Sequence, residues 1–260
     1  MGARFKLVFV GTALLTVAFL PSVALAQTYS WTGLYVGGSL GNAMGKAEAT
    51  TTTLANVSPG YFVQSSVVAV NAVGAQEIKP TKMLFGGAAG FVGQSGRLVV
   101  GIEGDYSRMK LDDSVDTNAV YPDFAPTSFT VEQQIKTTYL ITFRGRLGVA
   151  AGPALIYGTA GIAIVDLDNE SRFTDDFSSA LETGSIKVTP KKFIFGGGAE
   201  FRVGTHASLK GEFLHADFGE FTATSTNLTL AGGLLRPQNV FTHTTNFVLN
   251  VIRFGVNVGF

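Results

Sequence analysis

Apolar residues occupy alternate positions in the last eight residues of the chain, from Phe254 to Phe260. The positions in between include Arg253 and Asn257. Because successive side chains of an extended strand point to opposite faces, one face of this segment is apolar and the other is polar. Such a strand is typical of a transmembrane β-barrel, whose outer face meets lipid and whose lumen is polar.

The same kind of segment recurs along the chain. Eight strand-like segments follow residue 30, at residues 31–41, 83–93, 97–109, 135–150, 154–167, 191–203, 206–221 and 244–260. Each reaches the roughly 9–11 residues that a tilted strand needs to cross a bilayer. The pattern predicts an all-β fold: an eight-stranded antiparallel transmembrane β-barrel.

The connections between these segments differ in length. Three are tight turns, near residues 94–96, 152–153 and 204–205, and four are long, at residues 42–82, 110–134, 168–190 and 222–243. Short periplasmic turns and long extracellular loops are the usual layout of an outer-membrane barrel. The competing fold is a lipocalin-like soluble barrel with an apolar interior, which has little reason to separate its loops by length.

Charged residues recur on the polar faces of the predicted strands. Because a charge held away from bulk water needs a partner, we predict that they form a network in the lumen. The predicted members are Arg97, Glu103, Asp105, Arg144, Arg146, Glu200, Arg202, Lys210, Glu212 and Arg253. Eight strands leave little open lumen, which favours a salt-bridge plug, with a narrow charge-selective pore as the alternative. The first, second and fifth segments are rich in Gly and Ala, so their faces stay unassigned.

The first 26 residues have the features of a secretory signal peptide. Arg4 and Lys6 precede an apolar run, and residues 24–26 form a small-x-small cleavage site. We therefore predict a signal peptide at residues 1–26 and one barrel domain at residues 27–260. The remaining chain carries a slight acidic excess, so no basic patch predicts nucleic-acid binding.

Composition supports the barrel. The 260 residues include 32 Gly and 21 Phe, and only 15% are charged, which suits neither a disordered chain nor a helical bundle. There is no cysteine, so disulfides and cysteine-containing zinc sites are excluded. An exported chain without these devices needs another source of stability, such as a closed hydrogen-bonded ladder in lipid.

Five short motifs carry a family resemblance: WTGLYVGG at 31–38, GIEGDY at 101–106, RGRLG at 144–148, YGTAG at 157–161 and LKGEF at 209–213. They resemble the small porin-like outer-membrane β-barrel family, which is related in architecture to the OmpA membrane domain and includes Gram-negative surface antigens. The resemblance implies a barrel in the cell outer membrane with its N-terminus on the periplasmic side. It also implies that Phe260 belongs to a terminal signal read by the barrel-insertion machinery.

Residues for catalysis are scarce. The three histidines are His206, His215 and His243, and His215 shares a predicted strand face with Asp217. An outer-membrane hydrolase is the alternative that this pair leaves open, but a catalytic triad is recognised by geometry that spacing does not supply. We predict no enzyme, no catalytic residue, no cofactor and no metal.

Two weaker binding signals remain. Asp166, Asp168 and Glu170 alternate like ligands of a calcium loop but lack its Gly and terminal Glu. A solvated acidic rim is therefore favoured over divalent cations bound beside lipopolysaccharide. Some members of the resembled family bind haem, which needs an axial His or Tyr in an apolar pocket. The loop candidates are His243, Tyr61 and Tyr121.

The predicted function is structural: to maintain the envelope and to display extracellular loops. Expected partners are outer-membrane lipid, lipopolysaccharide and the barrel-insertion machinery, and no nucleic acid. The chain is expected to be a monomer, with an oligomer left open. The alternatives are a narrow charge-selective pore, a receptor for haem or a host ligand, and a hydrolase.

Overall fold

The computed structural model describes residues 30–55 and 57–260, so the predicted signal peptide at residues 1–26 lies outside the described part. The described residues form thirteen strands and one α-helix. Their bounds are β1 Gly33–Thr53, α1 Gln64–Val73, β2 Ala75–Ile78, β3 Thr81–Ser95, β4 Leu98–Val120, β5 Ser128–Ala151, β6 Ala154–Val165, β7 Leu167–Asp175, β8 Leu181–Val188, β9 Lys191–Arg202, β10 Ala207–Ser225, β11 Thr229–Leu230, β12 Leu234–Leu235 and β13 Phe241–Gly259.

Eight of these strands form a closed antiparallel ring in the order β1, β3, β4, β5, β6, β9, β10, β13. The ring closes where β13 pairs with β1, from Gly259 opposite Tyr35 to Phe241 opposite Thr53. Closure pairs the backbone groups that an open sheet edge leaves free, which a strand structure in lipid requires. The predicted eight-stranded antiparallel barrel is confirmed.

Short and long connections lie at opposite ends of the ring. Turns at residues 96–97, 152–153 and 203–206 lie at the end where the chain termini meet, which we call the short-turn end. Gly96 and Gly152 have φ values of +60° and +59°. Tight hairpin turns need this left-handed conformation, and glycine adopts it without steric cost.

The long connections contain more strand than the sequence predicted. Residues 110–134 were expected to be a loop, yet β4 continues to residue 120 and β5 begins at residue 128. β7 and β8 likewise form a hairpin inside the predicted loop at 168–190. The prediction was wrong here because the strands continue past their apolar stretches, with most of their charged residues on the outer face.

A belt of exposed apolar side chains, the apolar band, surrounds the half of the ring nearest the short-turn end. One side chain from each ring strand illustrates it, each between 44% and 71% exposed: Val36, Phe85, Ile102, Phe143, Ile156, Phe195, Phe213 and Phe254. Water-soluble monomers rarely expose contiguous apolar surface of this extent. The band is therefore suited to contact with lipid.

Beyond the band the strands continue into a second region, which we call the cap. It comprises α1, β2, β7, β8, β11, β12, residues 43–53, 111–120, 128–137, 217–225 and 241–250 of the ring strands, and the loops that connect these segments. Inside it, Val67 and Val70 of α1 are buried against Phe129, Phe173 and other aromatic residues. No helix in the described ranges is long and apolar enough to cross a membrane.

The interior of the ring is filled in successive layers. Along β13 the buried side chains run, from the short-turn end, as Asn257, Arg253, Val251, Leu249, Phe247, Thr245, His243 and Phe241. From the short-turn end toward the cap, these side chains form four successive layers. Arg253 belongs to a charged layer, and Val251, Leu249 and Phe247 belong to an apolar layer. Thr245 and His243 belong to a polar layer, and Phe241 belongs to an aromatic layer. The lumen is therefore more varied than the uniformly polar channel that simple alternation suggests.

Candidate functional site

The charged layer consists of four acids and four bases, each at most 6% exposed. They are Glu103, Asp105, Glu200 and Glu212 with Arg144, Arg146, Lys210 and Arg253. They project inward from β4, β5, β9, β10 and β13 because the alternation of each strand puts its apolar partners on the lipid side. The formal charges of the layer balance.

Arg144 joins three carboxylates. Its Nη2 contacts Glu103 and lies 2.8 Å from Asp105 Oδ2, and its Nη1 lies 3.0 Å from Glu212 Oε1. Its Nε also donates to Thr142 Oγ1 at 2.8 Å. The fixed fork of the guanidinium group allows one side chain to serve several acceptors at once.

Arg253 bridges the same carboxylates from the opposite wall. Its Nη1 lies 2.9 Å from Asp105 Oδ1, and its Nη2 lies 2.6 Å from Glu212 Oε2. Glu103 is 3.6 Å away. Arg144 and Arg253 therefore tie β4, β5, β10 and β13 together across the lumen.

The remaining bases complete the layer. Lys210 Nζ lies 2.9 Å from Glu103 Oε2, and Arg146 Nη2 lies 2.8 Å from Glu200 Oε2. Glu200 also accepts hydrogen bonds from Ser208 and, at 2.8 Å, from Asn257 Nδ2. Removing one member of such a network leaves a buried charge without its partner, which is the costly event.

Two tyrosines that the sequence did not single out belong to this layer. The Tyr35 hydroxyl donates to Glu103 at 2.7 Å, and the Tyr157 hydroxyl donates to Glu212 at 3.0 Å. The Arg146 guanidinium lies 3.9 Å from the centre of the Tyr157 ring, a cation–π contact. Both tyrosines come from glycine-rich strands whose faces the sequence left unassigned, so only their residue type and motif could have drawn attention to them.

Two predicted members lie outside the network. Arg97 is exposed in the turn between β3 and β4, one residue before the strand begins. Arg202 ends β9, two residues nearer the short-turn end than Glu200, and it donates to the Thr205 carbonyl at 2.9 Å. Its guanidinium lies 4.9 Å from the Trp31 ring centre. The prediction was wrong for both because strand ends could not be located from the pattern.

Phe260 lies at the short-turn end. Its backbone N–H donates to the Leu34 carbonyl at 2.8 Å, and its side chain is 77% exposed on the apolar band. Its role in the insertion signal stays a prediction.

The histidines do not form a catalytic arrangement with the predicted acid. His215 Nδ1 lies 2.8 Å from Asn250 Oδ1, whereas Asp217 Oδ1 accepts the Gly219 N–H at 2.8 Å. His206 lies in an exposed turn beside Thr205. His215 and Asp217 share a strand face, but each forms its hydrogen bond with a different partner.

His243 is buried, not at a loop rim as the sequence suggested. Its Nδ1 lies 3.0 Å from Thr51 Oγ1, and its Nε2 lies 3.1 Å from Glu182 Oε1 and 3.2 Å from Ser225 Oγ. We call these four side chains the His243 latch. They come from β1, β8, β10 and β13, and no ladder of backbone pairs joins β8 to β10 or β13. The latch therefore connects β8 to the ring through side chains.

The two other haem candidates, Tyr61 and Tyr121, meet in the cap. Their hydroxyls donate to Asp175 Oδ2 at 2.6 and 2.8 Å. Burial, together with the adjacent Asp175 carboxylate, raises the pKa of both phenols above the ordinary tyrosine value. A phenol held protonated in this way is a poor axial ligand, and His243 is already engaged in its latch.

The alternating acids of the predicted calcium-like segment are engaged by backbone N–H groups or by lysines, and Lys187 lies near both Asp168 and Glu170. Asp166 Oδ1 accepts the N–H groups of Thr138 and Tyr139, at 2.8 and 3.0 Å. Asp168 lies 3.2 Å from Lys187, and Glu170 lies 3.3 Å from Lys136. In the described ranges, no group of three or more His, Cys, Asp or Glu residues is placed to hold a metal ion.

A closed β-ring with lipid-suited side chains outside and paired charges inside defines the class of outer-membrane β-barrels. Residues 11–250 match the family model described as the outer membrane protein beta-barrel domain, and the chain belongs to that family. The predicted family and the predicted location in the cell outer membrane are confirmed. In such barrels the short turns are periplasmic, so the cap is extracellular.

Similar proteins include surface antigens. The 31 kDa outer-membrane immunogenic proteins of Brucella melitensis and Brucella suis are each 29% identical over 202 residues, covering 77% of this chain and 76% of the relative. Neisserial surface protein A is 15% identical with a TM-score of 0.40, covering 88% of this chain and 98% of that chain. The Escherichia coli outer membrane protease OmpT is 10% identical with a TM-score of 0.44, covering 88% and 97%.

Proposed function

We propose that this protein is a closed, non-conducting barrel that strengthens the outer membrane and holds a rigid cap at the cell surface. The filled interior is the observation that carries the proposal. The charged layer is followed by an apolar layer that includes Leu140, Phe218 and Phe247, each no more than about 1% exposed. Together they place ion pairs and then tightly packed hydrocarbon across the path of a solute.

Pairing within the charged layer argues against the alternative of a charge-selective pore. A conducting pore needs charges that bind an ion weakly enough to release it, whereas Arg144 and Arg253 are each committed to several buried carboxylates. An apolar constriction also resists wetting. The arrangement therefore favours a plug that fixes the distances between strands.

We propose further that the protein is not an enzyme. The support is that His215 and His243 are each occupied by other side chains, at Asn250 and in the His243 latch. A hydrolase needs a nucleophile and a base in mutual hydrogen-bond reach and open to substrate. The Ser225 hydroxyl is within reach of His243, but His243 is 1% exposed and so is closed to substrate. Loss of a measured turnover in a His215→Ala variant would contradict this part of the proposal.

Lipopolysaccharide is the proposed lipid partner. Exposed basic residues stand where the apolar band gives way to the cap: Lys82, Arg108, Lys110, Lys191 and Lys192. Their ammonium and guanidinium groups suit the phosphates of an anionic lipid, through charge-assisted hydrogen bonds. We also propose that the barrel-insertion machinery reads Phe260 and that the protein acts as a monomer.

A planar-bilayer recording on refolded protein tests the closed barrel. We expect no discrete conductance steps, and a gel comparing boiled and unboiled samples should show that the protein used was folded. Steps that change in size in Arg144→Gln or Arg146→Gln variants would overturn the proposal in favour of a pore. The same recording on Arg97→Gln, an exposed turn variant, controls for nonspecific effects of lost charge.

A further inference from the structure

Two loops of the cap present the same dipeptide side by side. Asp123–Phe124 lies between β4 and β5, and Asp176–Phe177 lies between β7 and β8. The centres of the Phe124 and Phe177 rings are 5.2 Å apart, and the side chains are 37% and 50% exposed. The Tyr61 ring lies 6.3 Å from Phe177. We call these five residues the Asp–Phe patch.

The exposed rings are held in place. Asp176 accepts hydrogen bonds from the Ser128 N–H at 2.6 Å and from the Ser128 hydroxyl at 3.1 Å. Asp123 accepts the Ser65 hydroxyl, and the Phe124 carbonyl accepts the Thr127 N–H at 2.9 Å. The patch is therefore an ordered surface, and an ordered surface loses little conformational entropy when it binds.

Neighbouring phenylalanines of the cap are buried, whereas Phe124 and Phe177 are exposed. Phe62, Phe129 and Phe173 are all at most 5% exposed in the aromatic layer just beneath. Phe124 and Phe177 stay partly exposed although burial of a phenylalanine side chain stabilises a protein. Two ordered aromatic rings that lie together on the surface, with carboxylates beside them, offer a partner both apolar area and charge.

The loops that carry the patch hold charges of one sign. In residues 54–63, 121–127 and 175–180, every charged residue is an aspartate. The adjoining loop at residues 226–240, whose Ala231 N–H donates to the Ser178 carbonyl at 2.8 Å, holds one cation, Arg236. Asp175 is half-buried beneath Tyr61 and Tyr121, whereas Asp123 and Asp176 are exposed at the edge of the patch, each with a serine partner. A second copy of the same patch would meet it with like charges, so self-association through this surface is disfavoured.

We propose that the Asp–Phe patch is a docking site for a basic segment of another protein, one that carries Arg or Lys beside an apolar side chain. The cation of such a segment can lie over the Phe124 and Phe177 rings and pair with either aspartate. The apolar side chain, or the stem of the Arg or Lys itself, covers the remaining ring surface. This inference rests on the proposed function, since it names a partner for the rigid cap that the barrel displays.

The binding test uses the full chain refolded in nanodiscs of zwitterionic phosphatidylcholine, so that the lipid carries no net charge. The probe is a short labelled peptide of alternating arginine and leucine. Comparison peptides replace leucine with serine or arginine with glutamate. We expect the first peptide to bind at least about tenfold more tightly than either comparison peptide. We also expect its binding to weaken as salt is raised.

Variants of the patch and matched variants elsewhere in the cap identify the site. Phe124→Ser combined with Phe177→Ser, and Asp123→Asn combined with Asp176→Asn, should each weaken binding at least about tenfold. Leu234→Ser with Leu235→Ser removes two side chains that are 51% and 50% exposed, and should leave binding unchanged. Asp113→Asn with Asp116→Asn removes two exposed acids of β4 and should also leave it unchanged.

Three results would overturn the inference. Equal losses in the patch and control variants would show nonspecific attraction, and equal binding of all three peptides would show no recognition. A change from dimer to monomer in the patch variants would identify a second copy of the chain as the occupant. A gel of boiled and unboiled samples shows whether each variant is folded. If a variant does not fold, the peptide comparison and the salt series on the wild-type protein still test the inference. None of these results depends on the conductance recording, so the two proposals fail separately.

Discussion

The membrane part of the barrel and the extracellular cap are built from the same strands with opposite polarity. In β13, Arg253 points inward and Phe254 outward near the short-turn end, whereas Phe241 points inward and Thr242 outward in the cap. Odd-numbered residues face the interior along the entire strand, so the geometry does not change. What changes is the residue type that each face carries, because the outer surface meets lipid in one region and water in the other.

The difference also changes what holds the interior together. In the membrane part, buried carboxylates and guanidinium groups join the strands. In the cap, Phe129, Phe173 and Phe241 pack as the core of an ordinary water-soluble protein. Burial of apolar surface stabilises the cap because its alternative is water. It offers little in the membrane part, where lipid is an equally apolar alternative.

Removal of one charge from the lumen should have the largest effect. Arg253→Met leaves Asp105 and Glu212 with an uncompensated negative charge, and we expect the free energy of unfolding to fall by about 3–5 kcal/mol. Urea titration in lipid vesicles measures the change. Arg97→Met, in an exposed turn, is the matched control and should change stability by less than about 0.5 kcal/mol. Equal effects of the two variants would show that the network does not stabilise the barrel.

A cavity in the core of the cap should lower the stability of the cap without lowering that of the membrane part. Phe173→Ala removes a fully buried ring, and we expect the cap to lose roughly 3 kcal/mol of local stability. The membrane ring should persist, because Phe173 contacts none of its ion pairs. Limited proteolysis of intact vesicles should then cut the cap faster while the heat-dependent gel shift remains. Loss of the gel shift along with the cap would mean that the regions unfold as one unit.

A charge placed on the outward face of a single strand compares the surroundings of the membrane part with those of the cap. Ile102 and Asn118 both belong to β4 and point outward, the first in the apolar band and the second in the cap. Ile102→Arg should cost about 2–3 kcal/mol, since it puts a charge in the bilayer. Asn118→Arg should cost less than about 0.5 kcal/mol. Similar costs in urea titration would contradict the assignment of the two environments.

The His243 latch should give the smallest effect. Glu182→Gln preserves the shape of the side chain but weakens its hydrogen bonds to His243 and Ser225, at a cost of roughly 1–2 kcal/mol. Hydrogen exchange of β8 amides measures the change, and we expect faster exchange there than in β13. Thr183→Ser alters an exposed neighbour on the same strand and is the control. Unchanged exchange in Glu182→Gln would mean that backbone contacts, and not the latch, hold β8.

The sequence predicted the membrane part better than the cap. Strict alternation in β4, β5 and β13 identified their inward charges, since only opposite-face placement satisfies both an arginine and its apolar neighbours. Tyr35 and Tyr157 were missed because glycine-rich strands show no alternation to follow. Phe173 was missed, and His243 was considered only as a loop ligand for haem, because both belong to segments assigned to loops. Alternation gives the period of a strand, but the solvent beyond its outer face decides which residues are core.

The central claim is that the outward face of these strands meets lipid below and water above. The chain contains no cysteine, so single-cysteine spin labels can report the surroundings of each position without background. We expect labels at Ile102→Cys and Phe254→Cys to be relaxed mainly by oxygen, which concentrates in lipid. Labels at Asn118→Cys and Thr244→Cys should be relaxed mainly by a water-soluble nickel complex. Nickel access at the first pair with oxygen access at the second would contradict the account.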